Sequence, residues 1–170
     1  MIEPLQRSLI AQFAASLSML EACVAHCPDS EWERPIGNSP FWQVAYHVLF
    51  YIDLYLSPSE DDFEPQDFLR KNYESLGPTA LPPHEEVVAD LPYTRETISG
   101  YVVHCRRKAA EVIAAETPDS FVGPSGFSWY SIPRIEFYVN NIRHAQHHTA
   151  QLSLHLRRAA GIEIEWVGSE

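Results

Sequence analysis

The sequence predicts an all-α protein, folded as a four-helix bundle in a single domain over residues 1–170. Three observations support this fold class. Four segments hold most of the apolar residues at helical spacing, and a proline-rich stretch separates the second segment from the third. The length of 170 residues is also enough to bury one core without disulfide bonds.

The first helix is indicated by apolar residues that recur every three or four positions. They are Leu5, Leu9, Phe13, Leu17, Leu20 and Val24. We expect this helix to end near His26 and Cys27, because Pro28 disfavours helical backbone in the residue before it. An imidazole at a helix C-terminus is favoured by the helix dipole, so His26 needs no functional role.

The second helix is expected to begin at Ser39 and Pro40, with serine as N-cap and proline at the first helical position. It should run to about Leu56. The connection that follows, to about residue 92, holds six prolines and is predicted to cross over the bundle with short turns near residues 67–73 and 84–89.

The third helix is predicted over about residues 94–116 and the fourth over about thirty residues that end at Gly161. Ser131 is the expected cap of the fourth helix, with Pro133 in its first turn. Between these two helices, residues 120–130 contain glycine, proline and aromatic residues, a composition that suggests a short hairpin.

The composition excludes several function classes. The chain has 23 acidic and 12 basic residues and a formal charge of −11, which repels a phosphate backbone and argues against nucleic-acid binding. The amino terminus lacks a basic segment followed by an apolar one, and we find no apolar run approaching a membrane span, so we expect a cytoplasmic protein without a membrane partner. The three cysteines lack zinc-ribbon or redox spacing.

The strongest candidate site is a pair of histidines, His144 and His148, within the fourth helix. Side chains four residues apart project from the same helix face, so both imidazoles can reach one cation. Two histidines hold a transition metal weakly, and a third ligand is needed. His47 is the best candidate, because it lies in an almost wholly apolar run where an unpartnered imidazole would be costly. The alternative is three core histidines with ordinary hydrogen bonds.

Neighbouring residues are expected to play other roles. His147 points away from the core face, and His155 lies about 10 Å beyond His148 along the axis, too far to share its cation. Gln151 and Asn141 flank the ligands by one turn and either orient the imidazoles or make ordinary interior hydrogen bonds. The aromatic residues Tyr51 and Trp129 either line a pocket or belong to the core.

The sequence resembles the DinB/YfiT-like superfamily of metal-binding four-helix bundles, and the resemblance covers essentially the whole chain. Residues 144–151 read HAQHHTAQ, against a family signature of His-x-x-His-His-Arg-Gly-Gln. His144, His148 and His47 match the family's three ligand positions. The chain departs from the pattern at Thr149 and Ala150, where the family commonly has Arg-Gly.

Three neutral imidazoles leave a coordination position open, which is typical of catalytic metal sites. A metal there activates water or a thiol, and no protein residue stands out as a further catalytic group. The resemblance implies a metal-dependent transferase that uses a small thiol such as bacillithiol, mycothiol or glutathione. Zinc or nickel is the expected metal, with iron as a third candidate.

Two alternative functions remain. One is a noncatalytic binding or assembly module in which the metal only joins two helices, and the other is a metal-dependent hydrolase. Relatives suggest a homodimer.

Overall fold

The structure, a computed structural model, describes residues 2–77 and 89–170. Its elements follow in chain order. They are α1 (Glu3–His26), α2 (Asp29–Trp32), β1 (Pro35–Ile36), β2 (Ser39–Pro40), α3 (Phe41–Leu56), α4 (Arg95–Ala115), α5 (Pro118–Val122) and α6 (Arg134–Ala160).

The four long helices pack around one core. Both α1 and α3 pack against α4 and against α6, so each long helix has two long neighbours. Large buried side chains fill the space between them, including Phe13, Trp42, Tyr101 and Tyr138. The predicted all-α class is confirmed, although the described residues form six helices rather than four, because two single-turn helices join the long ones.

The connection between α3 and α4 is described only in part. Backbone hydrogen bonds form turns over residues 66–75, which confirms the first of the two predicted turns. The second, at residues 84–89, falls almost wholly outside the described residues, and so does His84. The crossover of the whole proline-rich segment therefore stays a prediction.

Two predicted helix caps are wrong. Ser39 does not cap α3, because its backbone pairs with Ile36 in a two-residue antiparallel ribbon that turns at Gly37, where φ is +68°. Pro40 occupies the N-cap position instead, and α3 begins at Phe41. Likewise α6 begins at Arg134 with Pro133 as its N-cap, rather than with a cap at Ser131.

The expected hairpin after α4 is also wrong. Residues 118–122 form the short helix α5, whose first turn is fixed by a capping box in which Thr117 and Ser120 bond each other's backbone N–H groups. Only a single bridge, between Pro124 and Pro133, has strand-like pairing in this loop. Proline has no backbone N–H to extend that pairing into a ladder.

A buried charge links α3 to α4. The carboxylate of Asp53 is fully buried and accepts hydrogen bonds from the Tyr101 hydroxyl at 2.9 Å, His104 Nε2 at 3.1 Å and Lys108 Nζ at 2.6 Å. These donors offset the cost of removing the carboxylate from water. His104 therefore has a structural partner.

The helix α1 is apolar over more of its length than its periodic stripe of core residues indicated. By length and composition α1 meets the requirement for a membrane-spanning helix, and 50% of that stretch is buried inside the molecule. Its buried residues include Leu9, Phe13, Leu17 and Leu20, which belong to the core. A core helix of this kind satisfies the same criterion, so the finding is weak evidence for a membrane span.

Two glycines provide a matched test of this fold. Gly126 has φ +89°, and a Cβ there would overlap the carbonyl oxygen of Pro58. Gly126→Ala should therefore lower the free energy of unfolding by about 2 kcal/mol. Gly100 lies inside α4 with open space around it, so Gly100→Ala should raise it by about 0.5–1 kcal/mol. Urea unfolding of both variants measures these changes, and equal stability of the two would contradict this description of the loop.

Candidate metal centre

Three imidazoles converge where α3 meets α6. His47, His144 and His148 each offer one ring nitrogen, and these nitrogens all lie within 4.8 Å of one another. The Nε2 atoms of His47 and His144 are 3.0 Å apart. The structure thus brings together the three residues that the sequence indicated as ligands.

The helix geometry explains this convergence. His47 lies in the middle of α3, which is buried along nearly its whole length, and its own side chain is 9% exposed. His144 and His148 stand one turn apart on the α6 face that packs against α3. Their helix neighbours Ala145 and Thr149 are fully buried while both histidines are half-buried, so this edge of α6 lies at the border between the core and solvent.

Hydrogen bonds fix the orientation of two of the rings. Nδ1 of His47 lies at hydrogen-bond distance from the carbonyl oxygen of Glu74 and donates its proton there. Nδ1 of His148 donates to Oε1 of Gln151 at 2.8 Å. A neutral imidazole carries one proton, so both rings keep a lone pair on Nε2. Gln151 therefore has the orienting role that the sequence left open, and its amide also contacts His147 at 3.3 Å.

The ring of His144 shows whether the three imidazole nitrogens suit a cation. Nδ1 of His144 is buried without a hydrogen-bond partner among the described residues, and its Nε2 faces that of His47. With its proton on Nε2, His144 leaves a buried acceptor unpaired at Nδ1; with its proton on Nδ1, it sets its Nε2 lone pair against that of His47, and both arrangements are costly. A cation between the two Nε2 atoms would accept both lone pairs and so remove the second conflict. Two nitrogens on one tetrahedral zinc ion lie about 3.3 Å apart, given bonds of ~2.0–2.1 Å. The 3.0 Å between the Nε2 atoms of His47 and His144 is close to this spacing, and His148 offers a third nitrogen within 4.8 Å, so the three imidazoles could hold a divalent transition metal.

Burial keeps these rings neutral. It lowers the pKa of His47 to about 3, although the Glu74 carbonyl opposes this shift. Burial also lowers the pKa of His144 to about 4 and lowers the pKa of His148. Since metal ligation requires the unprotonated nitrogen, all three rings are in the ligating form at neutral pH.

Asn141 serves the interior rather than the ligands. It is fully buried, and its amide nitrogen donates to the carbonyl oxygen of Ile52 at 3.4 Å. This bond links α6 to α3 about one turn from His144. Its Oδ1 has no partner among the described residues, so the structure shows one interior hydrogen bond for Asn141 and no hydrogen bond to an imidazole.

Aromatic rings border the site. Tyr51 packs on His47 and on His144, with ring centroids 4.8 and 5.3 Å apart. Trp129 is 48% exposed and packs on Phe127 instead. The next residue, Tyr130, lines a cavity of about 280 Å³ that opens beside His144. Tyr51 therefore belongs to the site, and the aromatic loop contributes Tyr130 where Trp129 was the sequence-based candidate.

The remaining α6 histidines stay outside the cluster, as predicted. His147 is exposed. His155 pairs with the buried carboxylate of Glu31 at 2.8 Å, an interaction that joins α6 to α2 and that no local pattern indicated.

The protein's own cysteines are not suited to act as nucleophiles at the site. Cys23, Cys27 and Cys105 are free and buried. Burial raises the pKa of Cys23 to about 12 and that of Cys27 to about 11, and it raises the pKa of Cys105 as well. The reactive form of cysteine is the thiolate, so none of them is a ready nucleophile at neutral pH.

Comparison with known proteins identifies the family of the chain. A sequence model of the DinB superfamily matches residues 12–152, a range that includes all three histidines. The chain belongs to the DinB superfamily, as its resemblance to that family had indicated. Searches of curated proteins and of solved structures give no match.

Removal of one ligand should abolish stoichiometric metal binding. His148→Ala leaves two imidazoles, which hold a transition metal weakly. His147→Ala is the matched control, because His147 neighbours His148 in sequence but lies outside the cluster. Metal content measured on protein purified without a metal-affinity tag should fall only in the first variant. Full metal content in His148→Ala would show that His148 is not a ligand.

Loss of the residue that orients His148 should weaken binding without abolishing it. Gln151→Ala removes the acceptor for His148 Nδ1, and partners of this kind typically contribute about 10–100-fold to metal affinity. Gln151→Glu keeps an acceptor and should retain most of the affinity. Competition with a chromogenic chelator measures both dissociation constants. Unchanged affinity in Gln151→Ala would contradict the orienting role.

Proposed function

We propose that this DinB-superfamily chain is a metal-dependent transferase that activates a small thiol at its three-histidine site. The observation that carries the proposal is the convergence of three neutral imidazoles, with two of the Nδ1 atoms engaged so that Nε2 is the free donor atom. Three ligands from the described residues are the number typical of catalytic rather than closed structural sites.

His47, His144 and His148 would hold the cation. When bound, a divalent metal lowers the pKa of a coordinating thiol or water and so provides a nucleophile at neutral pH. The Glu74 carbonyl fixes the orientation of the His47 ring, and the Gln151 side chain fixes that of the His148 ring. Tyr51 packs across His47 and His144 and limits the access of solvent to them.

The thiol is expected to come from outside the chain. Cys23, Cys27 and Cys105 are buried and protonated, and none of them belongs to the histidine cluster. The cavity beside His144 offers space for a small molecule. These features favour a second substrate that carries the sulfur, such as bacillithiol, mycothiol or glutathione.

Zinc or nickel is the metal that we expect, with iron as the third candidate, since imidazole nitrogen suits all three metals. The proposal includes a cytoplasmic protein whose partners are small molecules, and a homodimer is the expected assembly. The acidic charge of −11 supports the exclusion of nucleic acid.

A three-way assay tests this function. Protein with zinc or nickel, protein treated with chelator and the His148→Ala variant are each mixed with 1-chloro-2,4-dinitrobenzene and one of the three thiols. In the expected reaction the thiol sulfur forms a bond to the ring carbon, chloride leaves and the thiol proton passes to solvent. Turnover should require both thiol and metal, and His148→Ala should lose it.

Other outcomes would point to another function. Metal-dependent cleavage of ester or amide substrates without added thiol would show a hydrolase. A thermal-shift series over metals and thiols gives a second readout, because a ligand that binds the native state raises its apparent stability. Stabilisation by metal with no further effect of any thiol, together with no turnover, would overturn the proposal in favour of a metal that only joins α3 to α6.

A further inference from the structure

The cavity beside His144 has walls of two different kinds. It has a volume of about 280 Å³ and is lined by Tyr55, Tyr130, Asn140, Arg143, His144 and His147. The two tyrosines come from the end of α3 and from the loop before α6, and the other four residues form one strip along α6. A ligand in this cavity lies next to a metal ligand on one side and against aromatic rings on the other.

Arg143 gives this cavity a positive charge. It is exposed, and it forms no ion pair with any residue that the structure describes. No acidic side chain from the described residues lines the cavity. In a chain with a net charge of −11, a guanidinium with no carboxylate beside it is available to an anionic ligand.

The remaining wall residues favour an organic anion. A guanidinium binds a carboxylate through two parallel hydrogen bonds, and the Asn140 amide adds a neutral donor on the same strip. Tyr55 is 7% exposed and packs with Tyr130 at 6.1 Å between ring centroids, so the opposite wall is an aromatic surface. The volume is near the lower end of the range for small-molecule pockets, about 300–1,000 Å³, which restricts the ligand to a small molecule.

We propose that this cavity binds the carboxylate of a small organic substrate, with Arg143 as the anchoring cation and the tyrosines as the surface for its apolar part. This inference rests on the proposed function in one respect, because it places the bound molecule beside the ligand His144. Two sources of the carboxylate fit the cavity, namely the small thiol and the electrophile that the thiol attacks.

The binding test uses 4-fluorobenzoate and the neutral 4-fluorobenzamide, followed by fluorine NMR, with metal-free and zinc-loaded protein. The benzoate should bind at least about tenfold more tightly than the amide, since hydrogen bonds to charged groups contribute about 1.5–3 kcal/mol. Arg143→Gln should remove most of this preference, and Arg143→Lys should keep part of it.

Arg158→Gln is the matched control. Arg158 is also an exposed arginine of α6 without an ion pair among the described residues, and it lines a different cavity. This variant should bind both probes as the unaltered protein does. Equal binding of the two probes, or an undiminished preference in Arg143→Gln, would overturn the proposal. So would benzoate binding that needs zinc and ignores Arg143, because the carboxylate would then be a ligand of the metal.

A second arm identifies the source of the carboxylate. Cobalt-loaded protein is titrated with 3-mercaptopropionate and with 3-mercaptopropanol, and the thiolate-to-metal absorption reports binding. A preference for mercaptopropionate that depends on Arg143 assigns the carboxylate to the thiol. Simultaneous binding of mercaptopropanol and 4-fluorobenzoate assigns it to the electrophile. Failure of the protein to bind cobalt or zinc would overturn the metal-dependent function, while the metal-free benzoate titration would still decide the role of Arg143.

Discussion

The packing of α3 against α6 is the constraint on which the rest of the site depends. One histidine comes from α3 and two come from α6, so a small rotation or shift of either helix would separate the donor nitrogens. The helices are held in register near the site by the Asn141 bond to the Ile52 carbonyl and, toward the end of α3, by Arg134, which donates to the Leu56 carbonyl. Interiors pack densely and deform little, which preserves this spacing.

Three buried polar groups of the interior are held by partners from another part of the chain. Asp53 of α3 is held by α4, Glu31 of α2 by His155 of α6, and His47 by the carbonyl of Glu74 in the long connection. Such groups are costly to bury alone. Four buried side-chain atoms lack a partner in the described chain, and of their residues only His144 belongs to the metal cluster. These atoms are Tyr46 Oη, Asn141 Oδ1, His144 Nδ1 and Thr149 Oγ1.

Much of the site was predictable from the sequence, because its main elements are periodic. The apolar spacing indicated the four long helices, and the four-residue interval between His144 and His148 indicated a shared helix face. The partners of the imidazole rings depend on contacts between segments that are distant in the sequence. No sequence pattern therefore indicated the Glu74 carbonyl as a partner of His47, or the open cavity at Arg143. The two missed caps have a local reason, since Pro40 and Pro133 keep extended backbone, with ψ of 158° and 154°, so α3 and α6 begin only at the residue after each proline.

The buried cysteines have a consequence for the durability of the protein in its proposed setting. Cys23 and Cys105 each donate a hydrogen bond to a backbone carbonyl, of Thr149 and Leu49 respectively, and burial holds both in the thiol form. A catalyst that brings sulfur nucleophiles to electrophiles is exposed to alkylation and oxidation of its own side chains. Because these thiols are shielded and protonated, alkylation or oxidation at them requires prior opening of the bundle.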